Sequence, residues 1–109
     1  MATKITFPYK GKDYCLEYTK RTVKQMEDRG FVIGRYLEAP MTILPELFAG
    51  AFLVNHKFTP REVIDEIYDL MKDKKTLIGT LTTMYNEPIE ALMEDGEEEG
   101  NGIAWTATT

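Results

Sequence analysis

Cysteine, histidine and tryptophan each occur only once in this 109-residue chain. A single cysteine cannot form a disulfide within the chain, and one thiol with one imidazole is too few for a structural zinc site. These two residues, Cys15 and His56, are the only candidates for a thiol nucleophile and its base. No third orienting group accompanies them, and we interpret His56 as a helix-terminal residue that is favoured in its charged form. The sequence therefore predicts a protein that is not an enzyme and has no cofactor or metal.

Basic residues are outnumbered by acidic ones: the chain has thirteen Lys and Arg and eighteen Asp and Glu, which gives a net charge of −5. A protein that binds a nucleic-acid backbone needs a clustered basic face, so we expect no nucleic-acid partner. Long apolar runs are also missing: the longest, residues 43–54, is interrupted by Pro45 and Gly50 and is shorter than the roughly 20 residues of a membrane span. Because residues 1–4 also carry no targeting signal, we expect a soluble intracellular protein without a membrane partner.

The surplus of acidic residues is confined to the end of the chain. Residues 1–93 carry thirteen bases and thirteen acids, whereas residues 94–109 carry five acids and no base. The closing residues are rich in Gly and Thr and poor in apolar side chains, so they cannot offset the entropy of ordering themselves. We predict one globular domain over residues 1–95 and a flexible acidic tail over residues 96–109. The tail lacks the alternating oxygen ligands of a calcium loop, so no metal site is expected there.

Hydrophobic periodicity predicts an α+β fold that is mainly helical. Alternating apolar and polar residues favour a β-hairpin over about residues 4–18. Helical spacing and capping residues predict helices over about residues 20–29, 43–55, 60–72 and 76–94. Two strands alone are marginal in water, so we expect the hairpin to pack on the four helices.

Capping residues indicate where three of these helices begin. Thr19 is expected to cap the first helix. Thr42 is expected to begin the second, with Pro45 in its first turn. Thr59 has the pattern of a capping box, with Pro60 at the first helical position of the third helix.

Two stretches are harder to interpret from the sequence. Pro88 removes a backbone donor from the last helix, which predicts a kink near residues 85–86 or a break into two helices. Residues 31–37 are compatible with a third strand or with an extended connector, because Gly34 and Pro40 discourage a helix there.

Apolar surface is the main candidate functional feature. The helix over residues 43–55 is apolar on nearly every face, and Gly50 costs it about 1 kcal/mol relative to alanine unless another backbone packs closely there. Trp105 is a lone large hydrophobic residue in the acidic tail, as in an anchored peptide; an unstructured end without a partner explains it equally well. The candidate partner-binding residues are Phe48, Gly50, Phe52, Tyr85 and Trp105. The competing interpretation is that the candidates Phe48, Phe52 and Tyr85, together with Phe58, are simply core. Self-association through the 43–55 helix is a further expected contact.

Four stretches that cover most of the chain resemble one family of proteins. They are Leu16-Glu17-Tyr18-Thr19 through Glu27 with Gly30-Phe31, Leu44-Pro45-Glu46-Leu47-Phe48 through Phe52, Leu77-Ile78-Gly79 through Met84-Tyr85-Asn86-Glu87-Pro88-Ile89, and Glu99-Gly100-Asn101 with Trp105. In these residues the chain is similar to the small tail assembly chaperones of long-tailed phages.

The resemblance implies a non-enzymatic helper of a tailed phage or prophage. Such a chaperone holds the tape measure protein, recruits tail tube subunits, works in the cytoplasm of the bacterial host and is absent from the mature virion. Two other classes are compatible with the composition: a virion component such as a head–tail completion protein, and an intracellular inhibitor that uses its acidic tail. Against the inhibitor, the acids are confined to one end instead of being spread over a folded face.

Overall fold

The computed structural model describes residues 3–94 and 103–108, and it confirms the predicted fold class, α+β and mainly helical. An N-terminal antiparallel hairpin is followed by four α-helices. The elements are β1 (Ile5–Tyr9), β2 (Lys12–Leu16), α1 (Lys20–Asp28), α2 (Pro40–Gly50), α3 (Arg61–Leu70) and α4 (Lys74–Leu92). The larger part of the predicted tail over residues 96–109 lies outside the described residues, so its flexibility stays a prediction.

The hairpin turns where two successive residues have positive φ. Lys10 has a φ of 48° and Gly11 a φ of 78°, the combination that a two-residue turn matching the strand twist requires. Tyr9 pairs with Lys12 across this turn. Alternate side chains of β2 then face the helices, and Leu16 is completely buried.

Helix α1 has the predicted cap. The Thr19 hydroxyl accepts a hydrogen bond from the Thr22 N–H at 3.2 Å, and the Thr19 N–H donates to Thr22 Oγ1 at 2.9 Å. This reciprocal cap satisfies two donors at the helix start. Gly30, with a φ of 92°, ends the helix in the left-handed conformation. Val23 and Met26 form the inner face and are buried.

The chain that leaves α1 forms a short 3₁₀ helix over Ile33–Leu37, so it is neither a third strand nor an extended connector. Phe31 anchors the start of this segment, because its ring is buried 5.4 Å from the ring of Tyr85. The chain then turns, and the Arg35 N–H reaches back to the Val32 carbonyl at 3.0 Å. The third strand was therefore wrong, and the extended connector is confirmed only for residues 31–32, where Val32 has a φ of −131° and a ψ of 106°.

Helix α2 is shorter than the helix predicted over residues 43–55 and begins before it. Pro40 is the first helical residue, because its fixed φ suits that position, and Thr42 lies inside the helix. Pro45 therefore stands beyond the first turn, contrary to the prediction. Residues 51–55 form turns, with hydrogen bonds that reach only three residues back. The apolar run was thus not one continuous helix.

Helix α3 lacks the predicted capping box. Pro60, with a ψ of 145°, is the extended residue before the helix, which begins at Arg61 without a side-chain cap. Thr59 belongs to the preceding turn, where its N–H donates to the His56 carbonyl at 3.0 Å. Arg61 instead ties α3 to α2, since its Nη1 donates to the Glu46 carboxylate at 2.7 Å.

Helix α4 continues through Pro88, so the alternative of a break into two helices is wrong, whereas the kink near residues 85–86 stays a prediction. Pro88 offers no N–H to the carbonyl four residues back. Leu81, Met84 and Tyr85, each at most 1% exposed, hold this part of the helix against the core. Tertiary packing therefore outweighs the missing hydrogen bond.

One hydrophobic core joins the hairpin to the helices. Its largest completely buried side chains are Tyr85, Phe48, Phe52, Leu16, Leu47, Ile67, Leu81 and Met84. The Tyr18 hydroxyl donates to the Leu47 carbonyl, and burial, followed by the neighbouring Tyr85, raises the pKa of Tyr18 well above its ordinary value. The Glu17 N–H donates to the Ala51 carbonyl at 3.2 Å, which ties the end of the hairpin to the turns after α2.

Candidate functional site

The aromatic residues predicted to contact a partner lie in the core. Phe48 is 0% exposed, and Phe52 and Tyr85 are each 1% exposed. The Phe48 and Phe52 rings pack edge to face at 5.2 Å, while Tyr85 packs against both Tyr18 and Phe31 at 5.4 Å. Their burial removes the exposed surface on which the prediction of partner binding depended, so the geometry does not support that prediction. Helical spacing marked each of them as part of an apolar face of its own segment, but it could not show that these faces point into the chain's own core.

Gly50 is also explained from within the chain. A Cβ atom at Gly50 would lie 2.3 Å from Met26 Cε and 2.4 Å from Met26 Sδ. The close approach predicted there comes from a side chain of α1 and not from another backbone, either of this chain or of a partner. Ile43 and Leu47, on the same helix, are buried as well. The packing of these side chains against the chain's own core does not support the predicted self-association through residues 43–55, which stays a prediction.

Trp105 differs from the other predicted contact residues, because its side chain is 81% exposed. Its neighbour Ile103 is 91% exposed. Phe58, which the competing interpretation placed in the core, is 87% exposed. These side chains are accessible to a partner, whereas the aromatic residues of α2 and α4 are not.

A further apolar surface lies on the 3₁₀ helix and the first turn of α2. It consists of Val32, Tyr36, Leu37 and Met41, which are 50%, 46%, 80% and 90% exposed, and we call it the apolar patch. Val32 immediately precedes the 3₁₀ helix, Tyr36 and Leu37 belong to it, and Met41 belongs to α2, on which the 3₁₀ helix packs. Single exposed apolar side chains are ordinary, but several on adjoining turns indicate an interaction site.

The local chain holds the apolar patch on the outside. Gly30 and the buried ring of Phe31 reverse the chain direction after α1. Ile33 is half-buried against the core, so the residues on either side of it face outward. The Glu38 N–H donates to the Arg35 carbonyl at 2.9 Å and closes the turn that leads into α2.

Sequence reasoning missed the apolar patch because residues 31–41 follow neither a strand nor a helix period. Without a period, no inner face can be assigned, and the sequence leaves a third strand and an extended connector both open. A signal was nevertheless present. Apolar residues that are frequent in a segment without periodicity have no evident place in a core, and such residues are candidates for an exposed surface.

Cys15 and His56 are neighbours, but they do not form a thiol–imidazole pair. The Cys15 backbone N–H donates to His56 Nε2 at 3.0 Å, so the lone pair that a general base needs is occupied. The thiol instead lies 4.0 Å from the Glu17 carboxylate. The Asn55 side-chain amide donates to the Cys15 carbonyl at 3.1 Å. The arrangement fastens the turns after α2 to β2.

The electrostatics of His56 are opposite to the prediction. Its pKa is lowered from 6.5, first by burial and then by the charge of Lys12. The neutral ring is the form that can accept a hydrogen bond from Cys15. The imidazolium was predicted for a helix end, but α2 ends at Gly50, and the His56 ring packs 4.9 Å from that of Tyr14.

The described part of the chain has neither a cluster of metal ligands nor a membrane-spanning helix. Within residues 3–94 and 103–108, no group of three or more His, Cys, Asp or Glu is placed to hold a metal ion. None of the helices found there is both long enough and apolar enough to cross a membrane. Several carboxylates pair with bases on the surface, as Glu66 does with Lys10 at 3.3 Å and Asp28 with Lys24 at 3.2 Å.

Comparison with known proteins places the chain at the level of a family. No curated protein matches it, and no solved structure matches it. The model of a family described as a domain of unknown function, DUF5055, matches residues 1–109, which is the whole sequence. The chain therefore belongs to the DUF5055 family.

Proposed function

We propose that the protein is a tail assembly chaperone of a long-tailed phage or prophage, which binds the tape measure protein and helps to recruit tail tube subunits. It acts in the cytoplasm of the bacterial host and is absent from the mature virion. The resemblance of the sequence to this group of chaperones supports the choice of partner. The apolar patch is the observation that carries the proposal.

A tape measure protein presents the kind of surface that the apolar patch would cover. It is a long helical chain whose apolar stripes have no partner until the tail tube encloses them. Amphipathic helices dock on exposed apolar surfaces through side chains at three- and four-residue spacing. Leu37 and Met41 stand four residues apart on adjoining elements, and the unbranched thioether of Met41 can adapt to stripes of different shape.

The strength of such a contact suits a chaperone. Fully burying a Leu or Met side chain contributes about 1.5–3 kcal/mol, and most of the surface of Leu37 and Met41 is available for burial. Part of that gain is lost to the entropy of association. The contact is therefore reversible, so that a tail tube subunit can displace the chaperone.

The proposed role involves no covalent chemistry. The single imidazole of the chain has its Nε2 lone pair engaged by the Cys15 N–H, and the Cys15 thiol faces Glu17. This geometry supports a structural use of the two residues that were the best nucleophile and base in the sequence.

The proposal is tested by co-purification with helical fragments of a tape measure protein from a long-tailed phage. We expect Leu37→Asp/Met41→Asp to retain less than about a tenth of the fragment bound by the parent, because two carboxylates would have to be desolvated in the contact. Leu92→Asp is the matched control, since Leu92 is 68% exposed at the end of α4. Normal binding by a double variant that keeps the parent's unfolding temperature would contradict the proposed contact.

Purified particles of the encoding phage distinguish the chaperone from a virion component. Mass spectrometry should not detect the chain in mature particles. Its presence in a fixed ratio to the tail proteins would favour a head–tail completion protein instead. Removal of residues 94–109 should leave binding of the tape measure fragment largely intact, whereas it would abolish the activity of an acidic inhibitor.

A further inference from the structure

A cleft with a basic lining lies on the face of the molecule that includes β2, the start of α1 and the segment after α2. Its volume is about 680 Å³, and its lining includes Lys12, Arg21 and Lys57 but no aspartate or glutamate. We call it the basic cleft. The chain as a whole is acidic, so the convergence of three cations at one cleft is not a consequence of overall composition.

The three cations of the basic cleft differ from many other surface bases in that they form no ion pair with a carboxylate of the described residues. Over the described residues, none of Lys12, Arg21 and Lys57 has a carboxylate within 4.0 Å, whereas bases such as Lys24 and Arg61 do. The Lys12 and Lys57 ammonium groups instead lie over neighbouring aromatic rings, each 5.1 Å from the ring centroid. Their charges are thus available to an anionic ligand.

Apolar groups lie beside these charges. The side chain of Phe58 is 87% exposed at the cleft, and Leu53, Val54 and Val63 line it while half-buried. A ligand that matches this lining carries several negative charges together with apolar side chains. An acidic peptide segment has that chemistry. A nucleic acid matches less well, because the lining offers only three cations and a backbone contact of that kind needs a longer basic surface.

The electrostatic potential of the cleft also acts on His56, which belongs to its lining. The positive charge of Lys12 is the second cause of the lowered pKa of His56, after burial. The field at the cleft therefore disfavours an additional positive charge and favours a negative one.

We propose that the basic cleft binds the acidic C-terminal segment, residues 94–105, of a second copy of the chain. This segment has five carboxylates and no base, and it ends with the apolar residues Ile103 and Trp105. A second copy is favoured over the same chain because Ile103 and Trp105 are 91% and 81% exposed in the monomer. The inference does not depend on the proposed function, since it concerns another surface and another partner.

The sole tryptophan of the chain makes docking directly measurable. The emission of Trp105 should shift to shorter wavelength as protein concentration rises, because its ring leaves water, and sedimentation velocity should show larger species over the same range. Both changes should be lost at about 1 M salt, where the Debye length falls to about 3 Å.

Charge reversal in the cleft provides the specific test. Arg21→Glu/Lys57→Glu should weaken self-association by about tenfold or more, because two attractive pairs become repulsive. Lys72→Glu/Lys75→Glu is the matched control, since both lysines are exposed and lie outside the cleft lining. The milder Arg21→Gln/Lys57→Gln should give an intermediate effect, and it keeps the test decisive if the double reversal fails to fold.

Three results would overturn the proposal. The first is emission and sedimentation that do not change with concentration, as expected if the segment docks on its own chain or not at all. The second is equal self-association of the parent and a folded cleft variant. The third concerns two separate probes of the cleft, a synthetic peptide of residues 94–109 and a short single-stranded RNA. Tighter binding of the RNA than of the peptide would assign the cleft to nucleic acid.

Discussion

Among single side chains, His56 has an unusual structural role. Within residues 3–94 and 103–108, strand β2 pairs with β1 alone, so its outer edge presents backbone groups that have no strand partner there. His56 accepts the Cys15 N–H at that edge, and Asn55 donates to the Cys15 carbonyl. Two side chains from the turns after α2 therefore satisfy backbone groups that a third strand would otherwise pair.

This role makes stability sensitive to mild acid. The pKa of His56 is lower in the folded chain than the ordinary value of 6.5, so the unfolded chain takes up a proton at higher pH. The stability that the neutral ring contributes is fully present above pH 6.5, the ordinary pKa, and is lost progressively as the pH falls below 6.5. We expect the midpoint temperature of thermal unfolding, measured by circular dichroism, to decrease when the pH is lowered from about 7.5 to about 5.5.

His56→Gln is the informative comparison, because the Gln carbonyl can accept the Cys15 N–H without titrating. Since His56 is the only histidine, this variant should show a smaller change in midpoint across the same interval. If parent and variant lose stability equally between these pH values, the titration of His56 is not the cause.

Between elements, the contact of α1 with α2 depends on the absence of a side chain at Gly50. Alanine there would overlap the buried thioether of Met26, whose Cε is 2.3 Å from the added Cβ. Overpacking costs about 1–3 kcal/mol, and the better helix propensity of alanine returns up to about 1 kcal/mol. We expect Gly50→Ala to lower the free energy of unfolding by about 1 kcal/mol, measured by urea denaturation.

Gly79 provides the matched control in α4. It is an exposed glycine with nothing within 4 Å of an added Cβ. Gly79→Ala should therefore stabilise the protein by about 0.5–1 kcal/mol through helix propensity alone. Shortening the obstructing side chain, as in Gly50→Ala/Met26→Val, should restore part of the loss. Equal stabilisation by both alanine variants would show that the Met26 thioether yields without cost.

The elements also show which parts of the fold sequence patterns can predict. The hairpin and the Thr19 cap were correct because their signals are local: alternation, a glycine turn and a hydroxyl at a helix start. The α3 cap was misplaced by one residue, because Pro60 suits both the first helical position and an extended cap. Whether Phe48 and Phe52 face the core or a partner could not be predicted, because burial in the core and contact with a partner produce the same spacing of apolar residues.

At the scale of the whole molecule, the residues that form the hydrophobic core and the residues that set the net charge lie in different parts of the chain. Every side chain of the core cluster lies between Ile5 and Ile89. The net charge of −5 comes entirely from residues 94–109, because residues 1–93 have equal numbers of bases and acids. The folding stability and the net charge are therefore assigned to different parts of the sequence.

A chain that ends at Met93 separates these two properties. Its thermal midpoint at low protein concentration should match that of the full chain, because the core cluster is complete in it. Its solubility minimum should move from near the isoelectric point of 4.9 to about pH 7, where its net charge is zero and repulsion between copies is lost. A fall in the midpoint of more than about 4 °C, equivalent to about 1 kcal/mol, would mean that residues 94–109 also stabilise the folded domain.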